Sequence, residues 1–130
     1  MTKLEIEIKK AISEQYSSPL IKSQAENELA WQIQNCTSLP QPTRQVKLIL
    51  NRKFMFDFVW VEQSIVVEVD GGIWLRGRGG HGAGAHSRPR NILRDMEKSN
   101  LAQKNGYRFF RFTPEQVKNG EALEFIRQLF

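Results

Sequence analysis

The sequence has few of the features that mark secreted or membrane proteins. Among its 130 residues there is a single cysteine, Cys36, so no disulfide can form within the chain and we expect a reducing, cytoplasmic setting. No apolar run approaches the roughly 20 residues that span a bilayer. The start MTKLEIEIKK also has no apolar core of the signal-peptide type. We therefore expect a protein that makes no use of a membrane.

Glycine is scarce except in one stretch. Seven of the nine glycines lie at positions 71, 72, 77, 79, 80, 82 and 84. A segment of this length without periodicity is typical of functional or disordered loops, so residues 71–90 are predicted to form a flexible loop rich in glycine and arginine. The length predicts a single domain over residues 1–130, with an N-terminal helical extension over residues 1–20.

Acidic residues are absent between Asp70 and Asp95, although the same stretch is rich in arginine. The net charge of +5 permits nucleic-acid binding without demonstrating it. Because arginine recognises phosphate through its bidentate fork, we expect these side chains to contact a DNA backbone, with Trp74 stacking on a base or wedging into the duplex. The alternative is a solvated basic loop with Trp74 folded onto the core. The predicted DNA-binding arginines are Arg76, Arg78, Arg88, Arg90 and Arg94.

Hydrophobic periodicity predicts an α/β domain. Helices are expected over residues 3–16, 23–35, 91–104 and 120–129, and strands over residues 45–50, 54–62, 64–70 and 107–112. Thr113-Pro114-Glu115-Gln116 has the form of a helix start with a capping box. The resulting order is α-α-β-β-β-α-β-α, with a central mixed β-sheet of about four strands flanked by helices.

Three carboxylates lie in or beside the second and third of these strands. Acids are depleted from strand interiors because a buried charge is costly to desolvate, yet Asp57, Glu68 and Asp70 alternate with β-branched and aromatic residues. Antiparallel pairing across a turn at residues 62–64 would bring Asp57 close to Glu68 or Asp70. Such a group favours a hard divalent cation, Mg²⁺ or Mn²⁺. Singly, Asp57 is equally explained by a salt bridge to an arginine and Asp70 by an Asp-Gly turn.

The order of these motifs resembles that of the PD-(D/E)XK nuclease superfamily, and more narrowly of phage and bacterial endonuclease-like proteins related to the very-short-patch repair endonucleases. The resemblance covers roughly residues 25–125. Its pieces are Glu26 or Glu28, Asp57-Phe58, Glu68-Val69-Asp70-Gly71-Gly72, His86-Ser87-Arg88, Asp95-Met96-Glu97-Lys98 and the stretch from Gly106 to Phe112.

The resemblance implies a restriction-endonuclease-like core and Mg²⁺-dependent hydrolysis of DNA phosphodiester bonds in a bacterial cytoplasm. Asp57 and Glu68 would ligate the metal, with the carbonyl of Val69 completing the site. One departure concerns the position two residues after the strand acid, where the superfamily usually has lysine and this chain has Asp70. Asp70 would then hold a second metal, while the missing cation would come from Lys98, His86 or Arg88.

Alternative interpretations remain for the acid of the second helix and for the function of the protein. Glu26 fits either the metal site or a solvated helix acid, and Glu28 is the alternative for the same role. The favoured function is an endodeoxyribonuclease, with selectivity for DNA structure as one option. The competing hypotheses are a DNA-binding module on a nuclease-like fold and a domain that binds an acidic protein. The sequence leaves open whether two copies form a homodimer.

Overall fold

Four strands form one sheet in the order β1-β2-β3-β4 in the computed structural model of the chain. The structure describes residues 2–7, 22–70 and 89–130. Residues 3–7 are helical, and the rest of the predicted helix 3–16 lies outside the described residues. The later elements, in chain order, are α1 (Lys22–Cys36), β1 (Thr43–Val46), β2 (Phe56–Trp60), β3 (Ile65–Val69), α2 (Pro89–Lys104), β4 (Arg108–Phe112), α3 (Pro114–Lys118) and α4 (Glu121–Arg127).

The sheet is mixed, as predicted. β1 pairs with β2 and β2 with β3 in antiparallel fashion. The N–H of Arg108 donates to the carbonyl of Ser64, and the N–H of Asp70 donates to the carbonyl of Phe112, at 2.8 Å in both bonds. From the first of these bonds to the second, the residue numbers increase along both strands, from 64 to 70 and from 108 to 112. β4 therefore runs parallel to β3. A parallel pair needs a crossover connection, and α2 lies in that connection.

The first strand is displaced from its predicted position. The apolar residues 48–50 suggested a strand over 45–50, but β1 ends at Val46 and Leu50 is 86% exposed. A turn follows instead, in which the N–H of Arg52 donates to the carbonyl of Ile49 and Asn51 has a positive φ of 65°. Asparagine tolerates this left-handed conformation better than most residues, which favours a turn over continued strand.

Contacts divide the chain into two compact units. Of the described residues, 42–68 and 89–111 belong to what we call the sheet unit, and 2–7, 22–41, 69–70 and 112–130 belong to what we call the helical unit. The predicted single domain over residues 1–130 stays a prediction. None of the helices in the described part of the chain combines the length and apolar composition needed to cross a bilayer.

The sheet unit has a core of aromatic and β-branched side chains. All five residues of β2 and all five of β3 are buried, so both faces of these strands are covered. Phe56 packs edge-on against Phe109, with 6.2 Å between ring centroids. Ala102 of α2 is fully buried in the same core cluster. Any charged residue in β2 or β3 therefore lies in the interior of the unit.

The helical unit is built around α1. Leu29 and Ile33, one helical turn apart, are fully buried, and α1 contacts both α3 and α4. The predicted capping box begins α3: the N–H of Gln116 donates to Oγ1 of Thr113, and the N–H of Thr113 donates to Oε1 of Gln116. The sequence suggested one main helix after β4, over residues 120–129, but the structure has two short helices there. Gly120, with a φ of 89°, separates α3 from α4.

Candidate metal centre

The strand register brings two of the predicted carboxylates together. Trp60 pairs with Ile65, Val59 with Val66 and Phe58 with Val67. One step further along the same register, Asp57 lies opposite Glu68. Residues directly opposite each other on neighbouring strands project to the same face of the sheet. The four-residue turn at 61–64 sets this register, with the N–H of Ser64 donating to the carbonyl of Val61 at 3.1 Å.

Glu68 is held by partners on both carboxylate oxygens. Its Oε2 accepts a hydrogen bond from the backbone N–H of Asp57 at 2.8 Å. Its Oε1 pairs with the ammonium of Lys98. The residue is 5% exposed and Asp57 is 3% exposed, so both acids are almost completely removed from water. The carboxylate of Glu68 is therefore fixed in position.

The surroundings of Glu68 make its negative charge costly. Burial, followed by the neighbouring charge of Asp57, raises the pKa of Glu68 from 4.5 to about 7. The ammonium of Lys98 and the hydrogen bond from Asp57 act in the opposite direction and do not fully offset these effects. Two facing acids thus share a low-dielectric site in which a further cation would be stabilising.

Lys98 brings a positive charge to this site. Its Nζ donates to the carbonyl of Met55 at 2.6 Å, pairs with Oε1 of Glu68 and lies 4.9 Å from the ring centroid of Phe56. The side chain is 15% exposed. Of the three residues suggested as replacements for the missing lysine, the structure brings Lys98 to the acids. His86 and Arg88 lie outside the described residues.

Gln45 is a member of the site that the sequence did not suggest. Its Nε2 donates to Oδ1 of Asp57 at 3.1 Å. The residue lies in β1 with a φ of 53°, a left-handed conformation that is unusual for a side-chain-bearing residue in a strand. Backbone strain of this kind is often found at functional sites. Only the register between β1 and β2 could have placed it, since Thr43 and Arg44 pair with Val59 and Phe58.

The donor set fits a hard divalent cation. Asp57 and Glu68 offer carboxylate oxygens on one face, and Mg²⁺ is commonly held by one or two protein carboxylates together with water and substrate phosphate. Across residues 2–7, 22–70 and 89–130, no three His, Cys, Asp or Glu side chains come together. Within these ranges, the site therefore consists of two acids.

The helical unit contains a second group of predicted residues. Lys22 pairs with Glu26, 2.6 Å from Nζ to Oε1, and its Nζ also donates to the carbonyl of Val69 at 2.8 Å. Both Glu26 and the Val69 carbonyl, named above as candidate ligands, thus share one lysine partner. Lys22 was not predicted, although its i,i+4 spacing to Glu26 is a recognisable ion-pair signal.

Glu28, the alternative to Glu26, is buried in the helical unit at 4% exposure. Neither of its carboxylate oxygens has a hydrogen-bond partner in the described part of the chain, and the same holds for Oε1 of Gln32 one turn later. Burial raises the pKa of Glu28 to about 7, with the charge of Lys118 acting against this. Glu28 is therefore a buried acid without the partners that Glu68 has.

The remaining predicted residues are distributed differently. Asp70 follows β3, is partly buried and donates its N–H to Phe112. Arg94 lies on α2, with its guanidinium carbon 5.7 Å from the ring centroid of Phe54, and Arg90 is also in α2. Trp74, Arg76 and Arg78 lie outside the described residues. The structure thus brings together Asp57, Glu68 and Lys98.

Comparison of the chain with protein-family models, with curated proteins and with solved structures finds no match. The α/β architecture with a four-stranded mixed sheet stands on the structure alone.

Proposed function

We propose that this protein is a metal-dependent endodeoxyribonuclease that hydrolyses DNA phosphodiester bonds using Mg²⁺ or Mn²⁺. The observation that carries the proposal is the cluster of Asp57, Glu68 and Lys98 on neighbouring elements of the sheet unit. Two acids opposite each other, with an ammonium hydrogen-bonded to one of them, provide the charges needed for phosphoryl chemistry. The nuclease-like core and the relation to the PD-(D/E)XK superfamily are part of the same proposal.

Asp57 and Glu68 would hold the metal. Their carboxylates are fixed by Gln45, the Asp57 N–H and Lys98, so little side-chain ordering is required when a cation binds. When bound, Mg²⁺ polarises a phosphate oxygen and lowers the pKa of an attacking water. The raised pKa of Glu68 supports this assignment because a nearby cation would favour its ionised form.

Lys98 would take the part of the lysine that Asp70 replaces in the motif. An ammonium stabilises negative charge that develops on a phosphate during hydrolysis. The Nζ of Lys98 is held by the Met55 carbonyl and Glu68, and an ammonium has three N–H donors. Within the described contacts, one donor remains for a phosphate oxygen.

The test is cleavage of supercoiled, branched and single-stranded DNA in Mg²⁺, Mn²⁺ or EDTA. We expect metal-dependent cutting by the wild type and none by Asp57→Ala or Glu68→Ala. Lys98→Ala should be slower by about 10²- to 10³-fold, the loss typical of removing one electrostatic contact to a transition state. Asp95→Ala is the matched control, because this carboxylate is 56% exposed and pairs with Arg111 instead. Retained cutting by Glu68→Ala would refute the proposal.

The second candidate is a DNA-binding module that does not cleave. It is favoured by the occupation of both Glu68 oxygens by groups of the protein itself, which a metal would have to share or displace. This candidate predicts DNA binding that weakens with salt and is indifferent to Mg²⁺. Metal-dependent nicking by the wild type alone would exclude it.

A further inference from the structure

Two arginines share one aromatic ring in the sheet unit. The guanidinium carbon of Arg52 lies 4.7 Å from the centroid of the Phe54 ring, and that of Arg94 lies 5.7 Å from the same centroid. Phe54 is 5% exposed and belongs to the core cluster, so the ring is a fixed platform. Two guanidinium groups from different parts of the chain are therefore both positioned against one buried ring.

A turn and a helix position the two arginines. The turn that follows β1 fixes Arg52, whose N–H donates to Ile49 after the left-handed Asn51. Arg94 lies within α2, the helix that also carries Lys98. The two side chains thus come from separate segments that converge on one ring. A stacked guanidinium keeps its edge N–H groups available and loses less rotamer freedom when it binds a planar or tetrahedral anion.

A carboxylate accompanies the first of these arginines. Glu97 pairs with Nη1 of Arg52, and the two side chains are 44% and 39% exposed respectively. Exposed pairs of this kind are weak because water screens them, so Glu97 is a replaceable partner. Among the ion pairs of the described residues, Glu97 is the acid that meets these two arginines, which leaves the guanidinium groups with net positive charge. The arrangement suits a polyanion whose successive charges can reach both guanidinium groups.

We propose that Arg52 and Arg94, held on the ring of Phe54, form a binding site for the phosphodiester backbone of DNA. The site lies on the elements that carry the catalytic candidates: Phe54 and Met55 are adjacent in sequence, and Lys98 follows Arg94 by one helical turn. The inference rests on the proposed function for its substrate and extends it by adding Arg52 to the predicted DNA-binding arginines.

The experiment measures duplex DNA binding by fluorescence anisotropy in EDTA, across salt concentrations of about 50 to 200 mM. Each lost phosphate contact lowers the slope of log affinity against log salt by about one. We expect a decrease of about one for Arg52→Gln, about one for Arg94→Gln and about two for the double variant. Arg52→Lys should keep the wild-type slope, since the charge is retained. This variant is the control that a substitution at position 52 does not by itself unfold the protein.

Two further variants make the test specific. Lys104→Gln removes one charge from the far end of α2, where Lys104 is exposed, and should leave the slope unchanged. Glu97→Gln releases Arg52 from its carboxylate and should strengthen binding more than Glu62→Gln, which removes an exposed acid from the β2–β3 turn.

The outcomes separate this inference from the proposed function. Unchanged slopes in Arg52→Gln and Arg94→Gln overturn the site even if the wild type cleaves DNA. Reduced slopes in both variants establish the site even if the wild type proves inactive as a nuclease. Equal loss of slope in Lys104→Gln would show a general charge effect and would also overturn the proposal.

Discussion

Two buried glutamates, one in each unit of the chain, have the same shifted pKa in different surroundings. The pKa values of Glu68 and Glu28 are both raised to about 7, and burial is the main cause for each. Glu68 has an ammonium, a backbone N–H and a second acid as neighbours. Glu28 has no hydrogen-bond partner for either oxygen in the described part of the chain.

The difference shows that a shifted pKa does not by itself identify a catalytic acid. Desolvation alone raises the pKa of Glu28. A buried acid of this kind has its lowest free energy when it keeps its proton. Glu68 is different because neighbouring groups hold its charged form in one orientation. The proposed site therefore rests on the partners of Glu68, and the following experiments test whether this distinction is real.

The largest expected effect is that of Lys98→Ala. Removing the ammonium takes away the ion-pair partner of the buried Glu68, and breaking a buried ion pair from one side costs about 3 kcal/mol. The loss should be greater at pH 8 than at pH 5, since a protonated Glu68 needs no partner. Urea denaturation at both pH values measures it. Lys104→Ala, at an exposed site of the same helix, should cost about 0.5 kcal/mol or less, and an equally small loss for Lys98→Ala would contradict the prediction.

The second effect has the opposite sign and concerns Glu28→Gln. The folded chain keeps the Glu28 proton up to about pH 7, whereas the unfolded chain releases it near the ordinary value of 4.5. Stability therefore falls as pH rises through this window, and the loss is complete above it. Glutamine removes the ionisation, so the variant should be more stable than the wild type by about 2 kcal/mol at pH 8 and equal to it near pH 4. A variant less stable at pH 8 would refute the assignment.

A third experiment follows metal binding against pH. Glu68 must lose its proton to act as a ligand, so affinity for Mg²⁺ should fall by about tenfold for each pH unit below 7 and level off above it. Isothermal titration calorimetry without DNA provides the readout. Asp57→Asn should abolish binding, whereas Glu28→Gln should leave the profile unchanged. Loss of binding in Glu28→Gln would show that the two glutamates were wrongly distinguished.

The smallest expected effect is that of Thr113→Ala. This change removes the side-chain acceptor at the start of α3 and should cost about 1 kcal/mol at all pH values. Thr113→Ser, which keeps the hydroxyl, should restore most of it. Thermal denaturation at pH 5 and pH 8 compares the two variants. A cost that depended on pH would indicate that the cap is coupled to an ionisable group such as Glu28.

The sequence predicted helices and helix starts well where the deciding interactions join residues within a few positions of each other. The capping box at Thr113 and the apolar face of α1 depend on neighbours in sequence, and the structure contains both. The strand expected over 45–50 was misplaced because three apolar residues outweighed a turn signal at Asn51. That turn became evident only from its positive φ and from the exposure of Leu50.

The candidate site was predictable in part. The turn between the two strands placed Asp57 close to Glu68 or Asp70, and the observed register selects Glu68. Lys98 was one of three options, and choosing among them required knowledge of how α2 packs on the sheet. Gln45 had no signal, because its role depends on the pairing of β1 and on a backbone conformation that glutamine seldom adopts.

The left-handed backbone at Gln45 also has a consequence for self-association. β1 lies at one end of the strand order, where the outer row of N–H and C=O groups could pair with another chain and begin an aggregate. A residue with a φ of 53° in the middle of a four-residue strand disrupts the regular spacing of that row. The conformation that directs an amide towards Asp57 therefore also makes β1 a poor template for growth of the sheet into a fibril.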